Sequence, residues 1–321
     1  MNVTLWNTPS LRWISSLICA LILSTAAVAE QNSSRLPHEV TINGVEFVLI
    51  PEGWSYRTGG IPLPGSPQDY QDEFGGGNIK VWLDSYYIAK YEARARHFVP
   101  FLNRVRGTGL EYNEANESCS VRRDGEGNYV LFRPDEDLPA THLSWKLADA
   151  WASDMGFRLP TEAEWEKAAR GESKQLWPWG NAWPDETYLG FQTKRDCYTW
   201  PVDAFAKGQS PYGVYNMSGN IREFVSDWYD KDADAQLQEG DKNPFSNNKT
   251  LGESSNSEWS AGPWKILKGG RWASGPGAVK VSARVYYTTN RSFRCNGTRF
   301  ALDTQTMLQY LAQNKATVTR L

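Results

Sequence analysis

The stretch GFRLPTEAEWEKAARG, Gly156 to Gly171, constrains the fold more than any other part of the chain, because it fixes a helix at both ends. Pro160 bars helix before it, and the residue ahead of a proline is pushed towards extended geometry. Thr161 stands at the N-cap and Glu164 lies three residues on, so the two can close a capping box. Glutamates fill the first turns and Lys167 and Arg170 the last, matching the helix dipole. Trp165, Ala168 and Ala169 share one face at i, i+3, i+4 and make the buried stripe. Gly171 supplies the left-handed position beyond the last turn. Three glutamates so close together could do acid–base chemistry. Glu162 and Glu166 repel at i,i+4 while Glu166 and Arg170 attract, so the pairs cancel. The reading is a solvated charged face on a structural helix.

The rest of the chain supplies little regular periodicity. Fifteen Trp among 321 residues, with 27 Gly and 17 Pro, point to a turn-rich fold whose core is built from large aromatics. The formal net charge of −3 leaves no basic footprint, which excludes nucleic acid as a partner. Arg12 precedes WISSLICALILSTAAVA, which has small residues at Ala27 and Ala29. This is a signal peptide over 1–29, cut after Ala29. The run is shorter than the roughly 20 residues that span a bilayer. No second stretch could span one, so the expected mature protein has no transmembrane segment and is periplasmic or secreted. Cys119, Cys197 and Cys295 then remain in an oxidising compartment, which predicts one disulfide and one spare thiol without saying which two pair. No two cysteines have zinc-ligand spacing. The histidines, His38, His97 and His142, have no iron-site spacing either.

Along the chain, VTINGVEFVLIPEG reads as a hairpin around Asn43-Gly44. Gly59 to Gly77 reads as a loop, VWLDSYYIAKYEA (81–93) as one strand, and RHFVPFLNRV (96–105) as helical with Pro100 setting its first turn. Residues 107–137 look irregular. LSWKLADAWASDMG (143–156) is an amphipathic helix with Leu143, Leu147, Ala150 and Trp151 on one face. Residues 231–262 read as a long, mobile polar loop, and 304–321 as a tail holding a short helix. No repeat or linker divides the chain, so one domain is expected.

Four motifs occur in a distinctive order: LDSYYIAKYEA; LSWKLADAWASDMGFRLPTEAEWEKAARG with PWGN; YGVYNMSGNIREFVSDWY; and LKGGRW with SAR and GTRFAL. Together they resemble the formylglycine-generating enzyme, or sulfatase-modifying factor, family over residues 40–303. The resemblance implies a single α+β domain of a fold related to C-type lectins, low in regular secondary structure. The family's copper oxidases carry two cysteines after a GGS[WY] motif. Here the region reads GGRWASGPGAVKVSAR, with Ser274 and Val279 at those positions, so no soft-ligand copper site is expected. Nor is iron, for want of the histidines of the family's ergothioneine-pathway branch. The family builds a calcium site in NMSGNIREF, and the resemblance assigns it to Asn216, Gly219, Ile221 and Glu223, as a structural ion. A second family calcium site is matched poorly, with Asp196 and Tyr198 as remnants.

Other departures from the family pattern are Glu92-Ala93-Arg94 after the tyrosine-rich strand, and Arg271 in place of the serine of GGS. Arg271, Trp272, Ser274, Arg284 and Tyr286 are the candidate binding cleft, since Trp and Arg dominate binding hot spots. The alternative puts Trp272 in the core and the arginines in ordinary ion pairs. The functional expectation is an exported binding or regulatory protein. It resembles the periplasmic regulators of the type VI secretion threonine-phosphorylation pathway, whose partner is the periplasmic part of a membrane kinase. A second reading is a periplasmic enzyme like the family member that matures the pyoverdine chromophore, with Tyr286 or Tyr287 handling protons. A third is plain sugar binding.

Overall fold

The computed structural model describes residues 36–57, 79–110, 112, 120–192, 198–230, 233–249 and 263–320. The expected signal peptide and the Gly59–Gly77 loop lie outside these residues, as do Cys119, Asp196 and Cys197.

Two sheets carry the fold. The first is five-stranded. It contains β1 (Glu39–Ile42), β2 (Val45–Ile50), β5 (Tyr86–Ala89), β12 (Ala301–Asp303) and β13 (Ala316–Arg320) in the order β12-β5-β2-β1-β13. All its pairings are antiparallel, and β1 and β2 form the expected hairpin, with Asn43 at φ 50° and Gly44 at φ 77°. The second sheet contains β8 (Arg222–Trp228), β9 (Trp264–Lys268), β10 (Val285–Thr288) and β11 (Asn296–Thr298) in the order β10-β9-β8-β11, with β11 parallel to β8. Two hairpins complete the strands: β3 (Gly53–Arg57) with β4 (Ile79–Leu83), and β6 (Val121–Arg123) with β7 (Tyr129–Leu131).

Helices α1 (Ala95–Val105), α2 (Trp145–Asp154) and α3 (Glu162–Arg170) pack on these sheets, a short α4 covers Ala233–Gln236, and α5 spans Thr304–Ala312. One core gathers Phe47, Phe98, Phe101, Trp151, Phe157 and Phe300. Trp151 lies 4.7 Å from Phe98 and edge-on to Phe300 at 4.9 Å. A second core seats Trp165 of α3 among Ile50, Ile88, Met217, Val225 and Ile266. Large aromatics fill the interior, as the composition requires.

The structure revises five local expectations. Residues 81–93 are two strands in different sheets, broken at Asp84-Ser85, so the run of alternation spans a corner. Pro100 sits inside α1 rather than in its first turn. The 107–137 region holds the β6–β7 hairpin. The tail is no appendage, because β13 pairs with β1 over Glu39–Ile42. Finally, the described part of the 231–262 loop is tied down. Trp82 N donates to Asp241 O, Asn243 N to Trp82 O and Gly240 N to Lys80 O, each at 2.8 Å. Among the described residues, no helix is long and apolar enough to cross a membrane.

Candidate functional site

The capping box of α3 forms as expected, with Glu164 N donating to Thr161 Oγ1 and Thr161 N to Glu164 Oε2. The charged face is not solvated. Glu162, Glu166, Lys167 and Arg170 are all buried. The reason is tertiary: α3 lies between the β3–β4 hairpin and the second sheet, and those elements bring cations to it. Arg57 donates to Glu162 at 2.6 Å, and Lys268 bridges Glu162 at 3.1 Å and Glu166 at 2.8 Å. Arg284 reaches Glu162 through Nε and Nη2, at 2.5 and 2.9 Å, and Arg170 pairs with Glu166 at 2.9 Å. Burial alone would raise the Glu162 carboxyl, but Arg284, Arg57 and Lys268 outweigh it and hold it well below the usual carboxylate range.

Beside this network lies a cavity of about 170 Å³. Arg57, Glu162, Asp227, Asp230 and Arg284 bring charge to its wall, and Gln236, Asn247 and Asn248 bring amides. Asp227 accepts from Glu162 N at 2.7 Å and Ser246 N at 3.1 Å, tying the helix start to the loop. Burial, then the charge of Glu162, pushes Asp227 up to about 7. It is a carboxyl that titrates near neutrality on the wall of a cleft, the arrangement expected of a working group.

The NMSGNIREF segment forms a second polar centre. Asn216 and Asn220, both at φ 53°, and Gly219, at φ 82°, turn the chain sharply. A Cβ at Gly219 would stand 2.6 Å from Gly190 O, so only glycine fits there. Asn216 Nδ2 and Asn220 Nδ2 both donate to Glu92 Oε2 at 2.9 Å. Glu223, fully buried, accepts from Arg299 Nε and Nη2 at 2.6 Å and from Trp165 Nε1 at 2.8 Å.

Glu92 is 1% exposed, and its Oε1 has no hydrogen-bond partner. Burial and the neighbouring Glu223 push it up to about 8. An orphaned carboxylate oxygen beside a second buried carboxylate and an asparagine amide is the hard-oxygen environment that calcium takes. Glu223 keeps acceptor capacity, since a carboxylate offers about four lone-pair sites. If calcium binds here, Glu92 would hold it together with Asn216, Gly219, Ile221 and Glu223. Sequence reading noted Glu92 only as the start of a departing motif, because its 124-residue separation from Asn216 hides the contact.

The predicted cleft does not assemble. Trp272 is a core residue, 2% exposed, packed with Ile221 and Cys295. Arg271 and Ser274 close a small turn, with Arg271 N donating to Ser274 Oγ at 3.0 Å. Val279 is fully buried against Leu176, Trp177 and Leu189. Arg284 belongs to the charged cavity instead. Tyr286 stacks on Tyr229 at 4.0 Å and Trp264 at 4.8 Å. The five residues divide because the chain from Trp272 to Tyr286 passes from one core to another. Tyr287 Oη accepts from Arg222 Nη1 at 3.0 Å. Cys295 is a buried free thiol that burial pushes up; Cys119 and Cys197 lie outside the described residues. Tyr198 packs edge-on to Trp200 at 4.8 Å.

Residues 25–304 match the sequence profile of the sulfatase-modifying factor enzyme 1-like domain. The chain belongs to this family. Relatives include the formylglycine-generating enzyme of Thermomonospora curvata, 34% identical over 245 residues, covering 62% of this chain and 75% of that one. Another is the serine/threonine-protein kinase pkn1 of Chlamydia caviae, 30% identical over 226 residues, covering 67% of this chain and 32% of the kinase. In three dimensions the family fold aligns with PvdO from Pseudomonas aeruginosa at a TM-score of 0.61 and 19% identity, over 84% of this chain and 99% of that one.

Proposed function

We infer that this chain is an exported family member that has lost formylglycine synthesis and works by binding a protein partner. One observation carries the reading. The positions matched to the oxidase cysteines hold Ser274, closed into a turn, and Val279, sealed in an apolar cluster. Neither supplies the thiolate that copper(I) prefers. The partner proposed is the periplasmic part of a membrane kinase, as for the type VI secretion regulators that the sequence resembles. Calcium, held by Glu92, Asn216, Glu223 and the carbonyls of Gly219 and Ile221, would contribute structure rather than chemistry. It would pin loops that lack secondary structure.

The test has two arms. Incubated with copper, oxygen and a cysteine-containing sulfatase peptide, the protein is expected to yield no formylglycine; turnover would overturn the loss of activity. Crosslinked to intact membranes, it is expected to bring down the exported domain of a kinase, and failure to enrich one removes that partner. Chelation should lower the melting temperature and calcium should restore it, while Glu92→Gln abolishes the calcium response. An unchanged melt in chelator would dismiss the ion.

A second reading has one observation in its favour. Asp227, at about 7 on a cavity wall, is suited to proton transfer. That is what a maturation enzyme like the pyoverdine branch would need. Asp227→Asn separates the readings: partner binding should survive it and proton-transfer catalysis should not.

A further inference from the structure

The start of β11 carries two guanidinium groups that neither reading uses. Elsewhere the protein matches its buried arginines with carboxylates: Arg57 with Glu162, Arg170 with Glu166 and Arg299 with Glu223. Arg222 and Arg271 break that rule. Among the described residues neither of them forms an ion pair. Arg222 opens β8, Arg271 lies in the turn after β9, and the two meet at Cys295, which directly precedes β11. Arg222 Nη1 donates to Tyr287 Oη at 3.0 Å and lies 3.9 Å from Cys295 Sγ. The Arg271 guanidinium lies 5.9 Å from the ring of Phe293, which packs against Cys295. Burial pushes the Cys295 thiol up, and the charges of Arg222 and Arg271 both pull against it, so both stand close to one sulfur. Two cations thus converge on a thiol and a phenol rather than on a carboxylate. Such like charges repel, and a partly buried charge without a counter-ion is costly. Arg222 Nε is buried with no hydrogen-bond partner, so the interior does not balance the charge. Arg222, Arg271, Tyr287 and Phe293 are half-buried, which leaves part of each side chain to solvent. A compensating anion has to arrive from there.

We propose that Arg222 and Arg271 bind a phosphate monoester, its dianion against the two guanidiniums and its organic group against Phe293 and Tyr287. Two positive charges call for two negative ones at a single point. A phosphoryl group supplies nearly that at neutral pH, and one carboxylate does not. The planar fork of each arginine matches phosphoryl oxygens in pairs, and each guanidinium has five N–H donors to share. The rings of Tyr287 and Phe293 stack at 6.4 Å and give the organic group an apolar face. The inference rests on these side chains alone and stands or falls apart from the kinase reading.

The test is calorimetric titration of the purified protein with phenyl phosphate, inorganic phosphate and sodium acetate at one ionic strength. Phenyl phosphate is expected to bind at least tenfold more tightly than acetate, and more tightly than inorganic phosphate. Arg271→Gln should weaken phenyl phosphate at least tenfold while leaving the melting temperature unchanged, because this half-buried side chain pairs with no carboxylate. Arg222→Gln should weaken it as much. Arg104→Gln, which removes a surface arginine of α1 paired with Asp154, should leave binding unchanged. No binding of phenyl phosphate up to about 10 mM, ten times a millimolar Kd, overturns the proposal. So does equal binding of acetate, phenyl phosphate binding that survives Arg271→Gln, or an equal loss in Arg104→Gln. Inorganic phosphate binding as tightly as phenyl phosphate overturns the ester and marks a site for the free ion.

Discussion

At the scale of single residues, the decisive groups are buried charges whose partners come from distant parts of the chain. Glu223 and Arg299 are both fully buried and 76 residues apart. Removing one member leaves the other uncompensated, which costs far more than the pair contributes net. Arg299→Met should therefore destabilise the protein by about 3–5 kcal/mol in urea denaturation. A loss below about 1 kcal/mol would mean that Glu223 is stabilised by something else.

Asp227 makes the opposite kind of statement. Its native carboxyl is raised to about 7 from an ordinary 3.8, so the folded protein binds more protons than the unfolded chain between those values. Its contribution to stability is thus largest below about pH 4 and is lost as pH rises through 7. Asp227→Asn should flatten that part of the stability–pH curve, measured by denaturation at acid and mildly alkaline pH. An unchanged slope in the variant would remove Asp227 as its source.

At the scale of elements, α3 and β13 show how local and non-local signals divide the work. The start of α3 is written locally, in Thr161 and Glu164, and Thr161→Ala should cost about 1 kcal/mol by loss of the side-chain cap. A melting curve identical to that of the wild type would mean that packing alone holds the first turn. β13 has no such local signature. Its residues are mostly exposed, and it is a strand because β1 offers it an edge. Truncation after Asn314 should remove about 0.2–1 kcal/mol for each cross-strand pair. The fold should survive, since neither hydrophobic core draws its buried residues from β13.

At the scale of the whole molecule, the sequence by itself determined the family, the α+β class, the aromatic core and both ends of α3. These follow from short-range rules of capping, turn residues and apolar spacing, together with motif order. It also located the sharp turn around Gly219-Asn220, because Gly219 and the two asparagines that take left-handed geometry are neighbours in the chain. Only the tertiary structure decided which charges meet. The glutamates of GFRLPTEAEWEKAARG read as a solvated face, yet Arg57, Lys268 and Arg284 converge on them from three other strand ends. Trp272 looked like a recognition residue and is core, and Arg284 left the predicted cleft for a cavity that no local pattern announced. The physical reason is the same in each case. A buried ion is stable only beside its counter-charge, and where that counter-charge lies is set by how the sheets pack rather than by the residues next to it in the chain.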